Sequence, residues 1–357
     1  MKKKTVIISL SGIGNTILAI PFLKNLRHII DTDIRLVLLN AGLGKMLKDA
    51  GLIDGYSVFT RSILANLVLL FKLHKQRFDY SFTVFPSNKT ALNILVFLIA
   101  AQNRISHRYK GGLFRFDFLI NKKVESDVKI HDLEQNLNLL KVLDGRDGGI
   151  SYDLNLKLNY DNFEIVKRYI ENRGLNNKFL VGIHPGGGGS WNKSWQGHKK
   201  RWPIERFAEL SQRLIDDKDA YILIFGGNEE SSLKNRLADY IKDKARVFVM
   251  DSQSLELTAL FIECCKLFIS NDTGLMHLSS ALSIPTLGIF GPSNHARTAP
   301  RGKKSFYIMN NVVDCSPCLR YPFYSSRSSI DCSRGLACLK SISVDDVYNK
   351  LRTKGLV

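Results

Sequence analysis

FISNDTGLMHLSSALSIPTLGIFGP, residues 268–292, holds the pattern that decides the fold. A short apolar run stops at Asn271-Asp272-Thr273-Gly274, a helical stretch follows over Leu275–Leu282, and beyond Pro285 a second apolar run, Thr286–Phe290, leads into a turn at Gly288–Gly291. Short β-branched runs that alternate with helical stretches are the mark of βα units and a parallel sheet. The same alternation extends in both directions. Upstream it predicts strands at Phe179–His184, Tyr221–Gly226, Val247–Met250 and Leu267–Ser270, with helices at Pro203–Asp216, Ser231–Lys242 and Leu255–Cys264. In the first half it predicts strands at Thr5–Leu10, Ile34–Asn40, Tyr56–Thr60, Tyr80–Pro86 and Arg104–Arg108, and helices at Thr16–Ile30, Ile63–Lys75 and Thr90–Ala101.

A polar, glycine-containing stretch, DGRDGG at 144–149, interrupts this rhythm. The chain of 357 residues therefore reads as two α/β units, in line with domains of about 150 to 200 residues each. Residues 1–155 and 156–340 form the two, and 341–357 a terminal helix expected to pack back on the first. Doubly wound sheets bind ligands beyond the carboxyl ends of their strands, which is where site residues are sought.

Composition narrows the partners. With 45% hydrophobic and 24% charged residues the chain is globular, and 51 Lys+Arg against 33 Asp+Glu give a net charge of +18. Such a field favours polyanions: nucleic acid, anionic lipid or a phosphorylated glycan. The apolar run after the amino-terminal lysines covers only Val6–Leu10, too short for a signal peptide. Ala91–Ala101 is about half of the roughly 20 residues that span a bilayer. A cytoplasmic protein able to touch a membrane surface is expected. Six cysteines then argue for thiols or a metal site over disulfides.

Three turns carry chemistry. SGIGNTILAIP (11–21) places Gly12 and Gly14 between the first strand and first helix, but Ile17 stands where a dinucleotide fingerprint needs a third glycine. It reads equally as a tight connection. HPGGGGSWNKSWQGHKKRWP (184–203) follows a strand with His184, Gly186 and Gly187 and precedes a helix with Lys200, Trp202 and Pro203. Glycine amides and Lys200 there can hold a diphosphate; the alternative is a solvated basic loop. In the third, Asp272 or Thr273 can cap the helix, or an anion can take its first-turn amides, with His277 one turn in.

Together the motifs GIGNTILAIPFLKNLR, HPGGG with KKRWPIERFAEL, FGGNEE, SNDTGLMHLSSAL and IFGPSNHARTAP resemble glycosyltransferase family 9, which includes the ADP-heptose:lipopolysaccharide heptosyltransferases. The resemblance spans nearly the whole chain and implies a GT-B fold: two Rossmann-like domains with parallel sheets facing a central cleft, acceptor on the first and ADP-sugar donor on the second. It implies an inverting transfer to a hydroxyl of an anionic glycan such as lipopolysaccharide core, on the cytoplasmic face of the inner membrane, with no cofactor required for catalysis and no nucleic acid partner. Lys200 would bind donor phosphate, Glu229 the ribose hydroxyls, and Gln253 would border the adenine. Asp272, Thr273, Gly274 and His277 would surround diphosphate and sugar. One position departs. Family members carry an Asp, assigned as the base, just after the second glycine, where this chain has Asn15; an amide accepts no proton at neutral pH. A degenerate, binding-only member is therefore a second reading, as are a protein or small-molecule acceptor and a sugar-nucleotide epimerase of the same architecture.

Two segments leave alternatives open. QNRISHRYKGGLFRFDFLINKK (102–123) interleaves Arg104, Arg108, Lys110 and Arg115 with aromatics. It suits an acidic acceptor sugar, single-stranded nucleic acid, or plain solvent. Cys315, Cys318, Cys332 and Cys338, spaced C-x2-C-x13-C-x5-C, can place four thiolates around a structural tetrahedral ion, or remain reduced thiols. The resemblance, through the autotransporter heptosyltransferases, makes zinc or iron the candidate ion.

Overall fold

Two runs of parallel strands build the protein, each with both faces covered. In the first sheet are β1 (Lys3–Ser9), β2 (Thr32–Leu38), β3 (Gly55–Val58), β4 (Tyr80–Thr83), β5 (Asn103–Arg108) and β6 (Lys122–Glu125). The second holds β7 (Phe179–His184), β8 (Ala220–Ile224), β9 (Val247–Val249), β10 (Leu267–Asn271), β11 (Thr286–Phe290) and β12 (Ser305–Met309). The computed structural model describes residues 2–87, 89–109, 116–143, 149–188, 198–251, 254–310, 312–319 and 332–357. Val6, Ile7 and Ile8 in β1 and all five residues of β10 are buried, as expected of strands roofed by helices on both sides.

The strand orders are β3-β2-β1-β4-β5-β6 and β12-β11-β10-β7-β8-β9. Counted from each unit's first strand, both are the doubly wound order. The winding reverses between β1 and β4, and again between β7 and β10. At such a reversal the chain leaves two adjacent strands toward opposite faces, opening a crevice at their carboxyl ends. The division into two units falls between Lys157 and Leu158. Each unit is thus a doubly wound parallel sheet, as the alternating pattern predicts.

Several local expectations are revised. The helix expected over Thr16–Ile30 is two helices, Ile13–Ile17 and Ile20–Ile29, with a turn at Leu18-Ala19. Pro21 explains the break, since it has no N–H to return to Ile17 and its ring crowds that carbonyl. The Leu18 carbonyl left at the break accepts from Asn136 Nδ2 at 3.2 Å. Helices Ala41–Asp49 and Asp132–Asn138 and the edge strands β6 and β12 were not anticipated. The terminal helix, Val344–Thr353, packs on the second unit rather than the first. Its Val347, Tyr348 and Leu351 join the core of helix Ile204–Lys218, and Arg213 reaches Asp345 at 2.7 Å. An apolar face at i, i+3, i+4 and i+7 (Val344, Val347, Tyr348 and Leu351) meeting the apolar face of that amphipathic helix explains the choice. Among the described residues no helix is long and apolar enough to cross a membrane.

Candidate functional site

The register of the second sheet brings the site together. Parallel pairing of β7 with β10 sets Ser270 opposite His184, so the residues that follow, Pro185-Gly186-Gly187 and Asn271-Asp272-Thr273, emerge side by side at the reversal point. A buried amide ties them. Asn271 Nδ2 donates to the carbonyls of Pro185 (3.0 Å) and Gly186 (2.8 Å), and its Oδ1 accepts from Trp202 N at 3.0 Å. Trp202 is itself fixed, 1% exposed, with Nε1 donating to the Ile342 carbonyl at 3.0 Å and its ring edge-on to Phe207. Lys200, two residues before this anchor, is thereby delivered to the end of β10.

Lys200 Nζ lies 2.7 Å from Asp272 Oδ2. The carboxylate is buried and the ammonium about a quarter exposed, so one side of the cation still faces outward. Burial alone would raise the Asp272 pKa, but the Lys200 charge and hydrogen bond outweigh it and hold the carboxyl below the usual range. His277 is buried beside this pair. Burial pushes its pKa down to about 4, leaving a neutral imidazole, and its Nδ1 has no partner among the described residues. Helix Gly274–Ala281 starts at the same point with Thr273 as N-cap, yet no side chain caps it. An uncapped helix start beside an ammonium is an anion-attracting arrangement.

The Thr273 hydroxyl is drawn away from capping by a buried polar chain. It lies 2.9 Å from His184 Nδ1 and 2.9 Å from Ser270 Oγ, while His184 Nε2 meets Glu230 Oε2 at 2.9 Å. Burial works against ionising Glu230, but its contacts with His184 and the Gly227 amide lower its pKa to about 2. With that carboxylate charged, His184 Nε2–H donates to it, and Nδ1 lies against the Thr273 hydroxyl. Gly186 is required here for a protein contact. A Cβ on it would fall on the Glu230 carboxylate and His184 Nε2, so its bareness serves this packing as well as any approach by a ligand.

With this geometry in view, comparison with known proteins decides the lineage. Residues 68–325 match the model of glycosyltransferase family 9 (heptosyltransferase). The chain belongs to glycosyltransferase family 9. Lipooligosaccharide heptosyltransferase 2 of Campylobacter jejuni is 30% identical over 148 residues, 41% of this chain and 44% of that protein. The chain thus spans less than half the length of this curated relative. Among solved structures, the family 9 glycosyltransferase of Veillonella parvula aligns with a TM-score of 0.77 at 22% identity, covering 99% of this chain and 97% of that one. The Escherichia coli ADP-heptose lps heptosyltransferase II aligns with a TM-score of 0.74 at 19% identity, covering 99% and 98%.

Of the residues singled out from sequence, the fold gathers His184, Gly186, Gly187, Lys200, Asp272, Thr273, Gly274 and His277 at one edge of the second unit of this family 9 chain. Glu229 stands exposed on the turn Asn228–Glu230, and its neighbour Glu230 makes the buried contact instead. Gly12, Gly14 and Asn15 lie in the first unit, at the carboxyl end of β1. Arg104 is engaged within its own unit: it enters β5 at the amino-terminal end, and its guanidinium donates to the carbonyls of Leu119 (2.7 Å) and Ala101 (3.0 Å). That makes it a loop brace. Arg108, at the carboxyl end of β5, pairs loosely with Glu125 at 3.5 Å. Lys110, Arg115 and Gln253 lie outside the described residues. Cys315, Cys318, Cys332 and Cys338 lie near enough to perturb one another: burial first, and then the neighbouring thiols, raise the pKa values of Cys318 and Cys338. Among the described residues no three His, Cys, Asp or Glu side chains stand ready to hold a metal ion. Asn271, Ser270 and Glu230 were missed as site residues. Two adjacent acids in FGGNEE were a visible signal, but only burial distinguishes the second.

Burial of histidine predicts an acid limit. His277 and, in the first unit, His107 are both pushed by burial from 6.5 to about 4. Below about pH 6.5 the unfolded chain takes up protons that the folded chain refuses, so stability falls as pH drops toward 4. Glu230, lowered from 4.5 to about 2, extends the loss through that lower window. Thermal unfolding followed from neutral pH into this range is expected to show a falling midpoint, and His277→Gln to flatten the fall. An identical pH slope in the variant would contradict a neutral, buried His277.

Proposed function

We propose that this chain is an inverting glycosyltransferase that moves heptose, or a similar sugar, from an ADP-sugar to a hydroxyl of an anionic glycan such as a lipopolysaccharide core. The observation that carries the reading is the conjunction at the ends of β7 and β10: an outward-facing ammonium, an uncapped helix start and a neutral imidazole with an uncommitted nitrogen. These groups recognise diphosphate charge. Heptose and ADP come from the names of the similar proteins, and the anionic acceptor from the net charge of +18.

In this proposal the acceptor oxygen attacks the anomeric carbon from the side opposite the diphosphate. The new carbon–oxygen bond forms as the bond from that carbon to the diphosphate breaks, and its electron pair stays with the departing ADP. The growing negative charge meets Lys200 Nζ and the first-turn amides of helix Gly274–Ala281, which are fixed before the reaction and can stabilise it without a metal ion. Asp272, already bonded to Lys200, positions the ammonium. His277 offers Nδ1 to a phosphate or sugar oxygen, and the chain from Glu230 through His184 to Thr273 holds the helix start in place. The acceptor's proton passes to a base other than Asn15, to water, or late to phosphate.

Asn15 favours a second reading, a protein that binds nucleotide sugar and no longer transfers, because the family's Asp base is replaced. Two variants separate the possibilities. Lys200→Ala is expected to weaken ADP binding about tenfold or more in calorimetry, the usual worth of a hydrogen bond to a charged group; an unchanged Kd would remove the diphosphate from this site. Detectable transfer from ADP-heptose by the native chain, rising in Asn15→Asp by as much as the ~10²–10⁴-fold of a restored base, supports the enzyme. No transfer in the native chain with gain in the variant supports the binding protein.

We also propose that the thiols of Cys315, Cys318, Cys332 and Cys338 close on a structural zinc or iron ion, since four thiolates suit a tetrahedral site. Elemental analysis should then find about one ion per chain, lost in Cys332→Ser; metal-free protein of full stability would reject the site.

A further inference from the structure

The first unit carries an apolar surface that the site does not use. Helix Ile63–Lys75 is apolar all round: Leu69, Leu70 and Leu73 turn inward onto the core of the first sheet, while Ile63 (77% exposed), Leu64 (72%), Leu67, Val68 and Phe71 (60%) face solvent. At 100° per residue these five lie within an arc of about 140°. The neighbouring helix, Thr90–Ile99, adds exposed Ile94, Phe97 and Leu98. His74 Nδ1 meets the Leu98 carbonyl at 3.0 Å, holding the two helices side by side. A globular surface rarely exposes so many large apolar side chains without a partner.

The charge around this surface is mainly positive. From Gly55 to Asp117 the sequence contains nine Lys and Arg and two acidic residues: Asp79, taken by Lys3 at 3.3 Å and the Lys4 amide at 2.8 Å, and Asp117, which accepts from Asn93 of helix Thr90–Ile99 at 3.2 Å. Lys72, Lys75 and Arg77 follow the apolar stripe at the helix's carboxyl end, and Lys75 Nζ sits 4.3 Å over the Phe71 ring. Arg61 precedes it. A nucleic acid would satisfy the cations but leave eight aliphatic and aromatic side chains in water. A second copy of the chain would cover the apolar area but set like charges against one another.

We propose that helices Ile63–Lys75 and Thr90–Ile99 form a docking surface for an anionic lipid bilayer, with Leu67, Phe71 and their neighbours entering the acyl boundary and Lys72, Lys75 and Arg77 lying among the phosphates.

 This interfacial arrangement, an apolar stripe flanked by cations, is the one amphipathic surfaces use on membranes. It places helix Thr90–Ile99 at the same depth as helix Ile63–Lys75. The proposal is independent of the transferase reading, because it concerns binding in the absence of donor and acceptor.

Vesicle flotation tests it with the full-length chain alone. Native protein is expected to float with vesicles of phosphatidylcholine mixed with phosphatidylglycerol, and to do so less as salt is raised. Lys72→Gln with Lys75→Gln should weaken binding by about fivefold per charge removed, and Leu67→Ser with Phe71→Ser by about tenfold or more. All four positions are on the surface, so circular dichroism and ADP affinity should be unchanged. No flotation of the native chain, or equal flotation of native and variant proteins, would overturn the proposal. So would a dimer in sedimentation that the serine variant dissociates while no protein binds vesicles, which would assign the surface to a second copy.

Discussion

Three hydrogen bonds from one buried side chain, the amide of Asn271, hold the candidate site together. They join the end of β10 to the loop after β7 and to Trp202, and through Trp202 they fix Lys200. Only an amide fits this role, because the position needs two donors toward carbonyls and one acceptor toward an N–H. Aspartate would face two carbonyl oxygens with a charge, and leucine would leave three buried backbone groups unsatisfied. The order of strands brings the segments near one another, and Asn271 turns that nearness into a fixed geometry.

The charges on this frame are arranged in opposition. Asp272 and Lys200 partly neutralise each other, Glu230 is kept ionised against its burial, and His277 is kept neutral by its own. The pair holds an ammonium in one place without removing its outward face. A side chain left flexible would have to be ordered when ligand arrives, and would bind it more weakly. Thr273 has the complementary part. Its hydroxyl is occupied by His184 and Ser270, so the first turn of the following helix is left without the cap that a threonine at that position ordinarily supplies.

Much of this was legible in the sequence, for definable reasons. Strands buried on both faces leave continuous apolar runs, so Phe179–His184 and Thr286–Phe290 match the observed strands end to end. The edge strand Lys122–Glu125 has only one covered flank and alternates exposed charges, a pattern that also describes a loop. The break in the first helix was marked by Pro21, but the amide that donates to the Leu18 carbonyl at the break, Asn136, lies far along the chain. At the site, residue types that meet anions stood out: Lys200, the glycines and the NDTG turn. Asn271 and Glu230 did not, because their roles exist only once β7 and β10 pair. Arg104 misled for the converse reason. A basic residue among aromatics suggests an acidic ligand, yet its partners are the carbonyls of Leu119 and Ala101 in its own unit.

The central claim is that backbone amides at the start of helix Gly274–Ala281, together with Lys200, receive the diphosphate of a nucleotide. Amide hydrogen exchange, resolved to single residues with and without ADP, tests it most directly. The account predicts added protection concentrated at Gly274, Leu275 and Met276, with a smaller effect at Gly186 and Gly187. Unchanged exchange at those amides under saturating ADP, or protection confined to other parts of the chain, would contradict it.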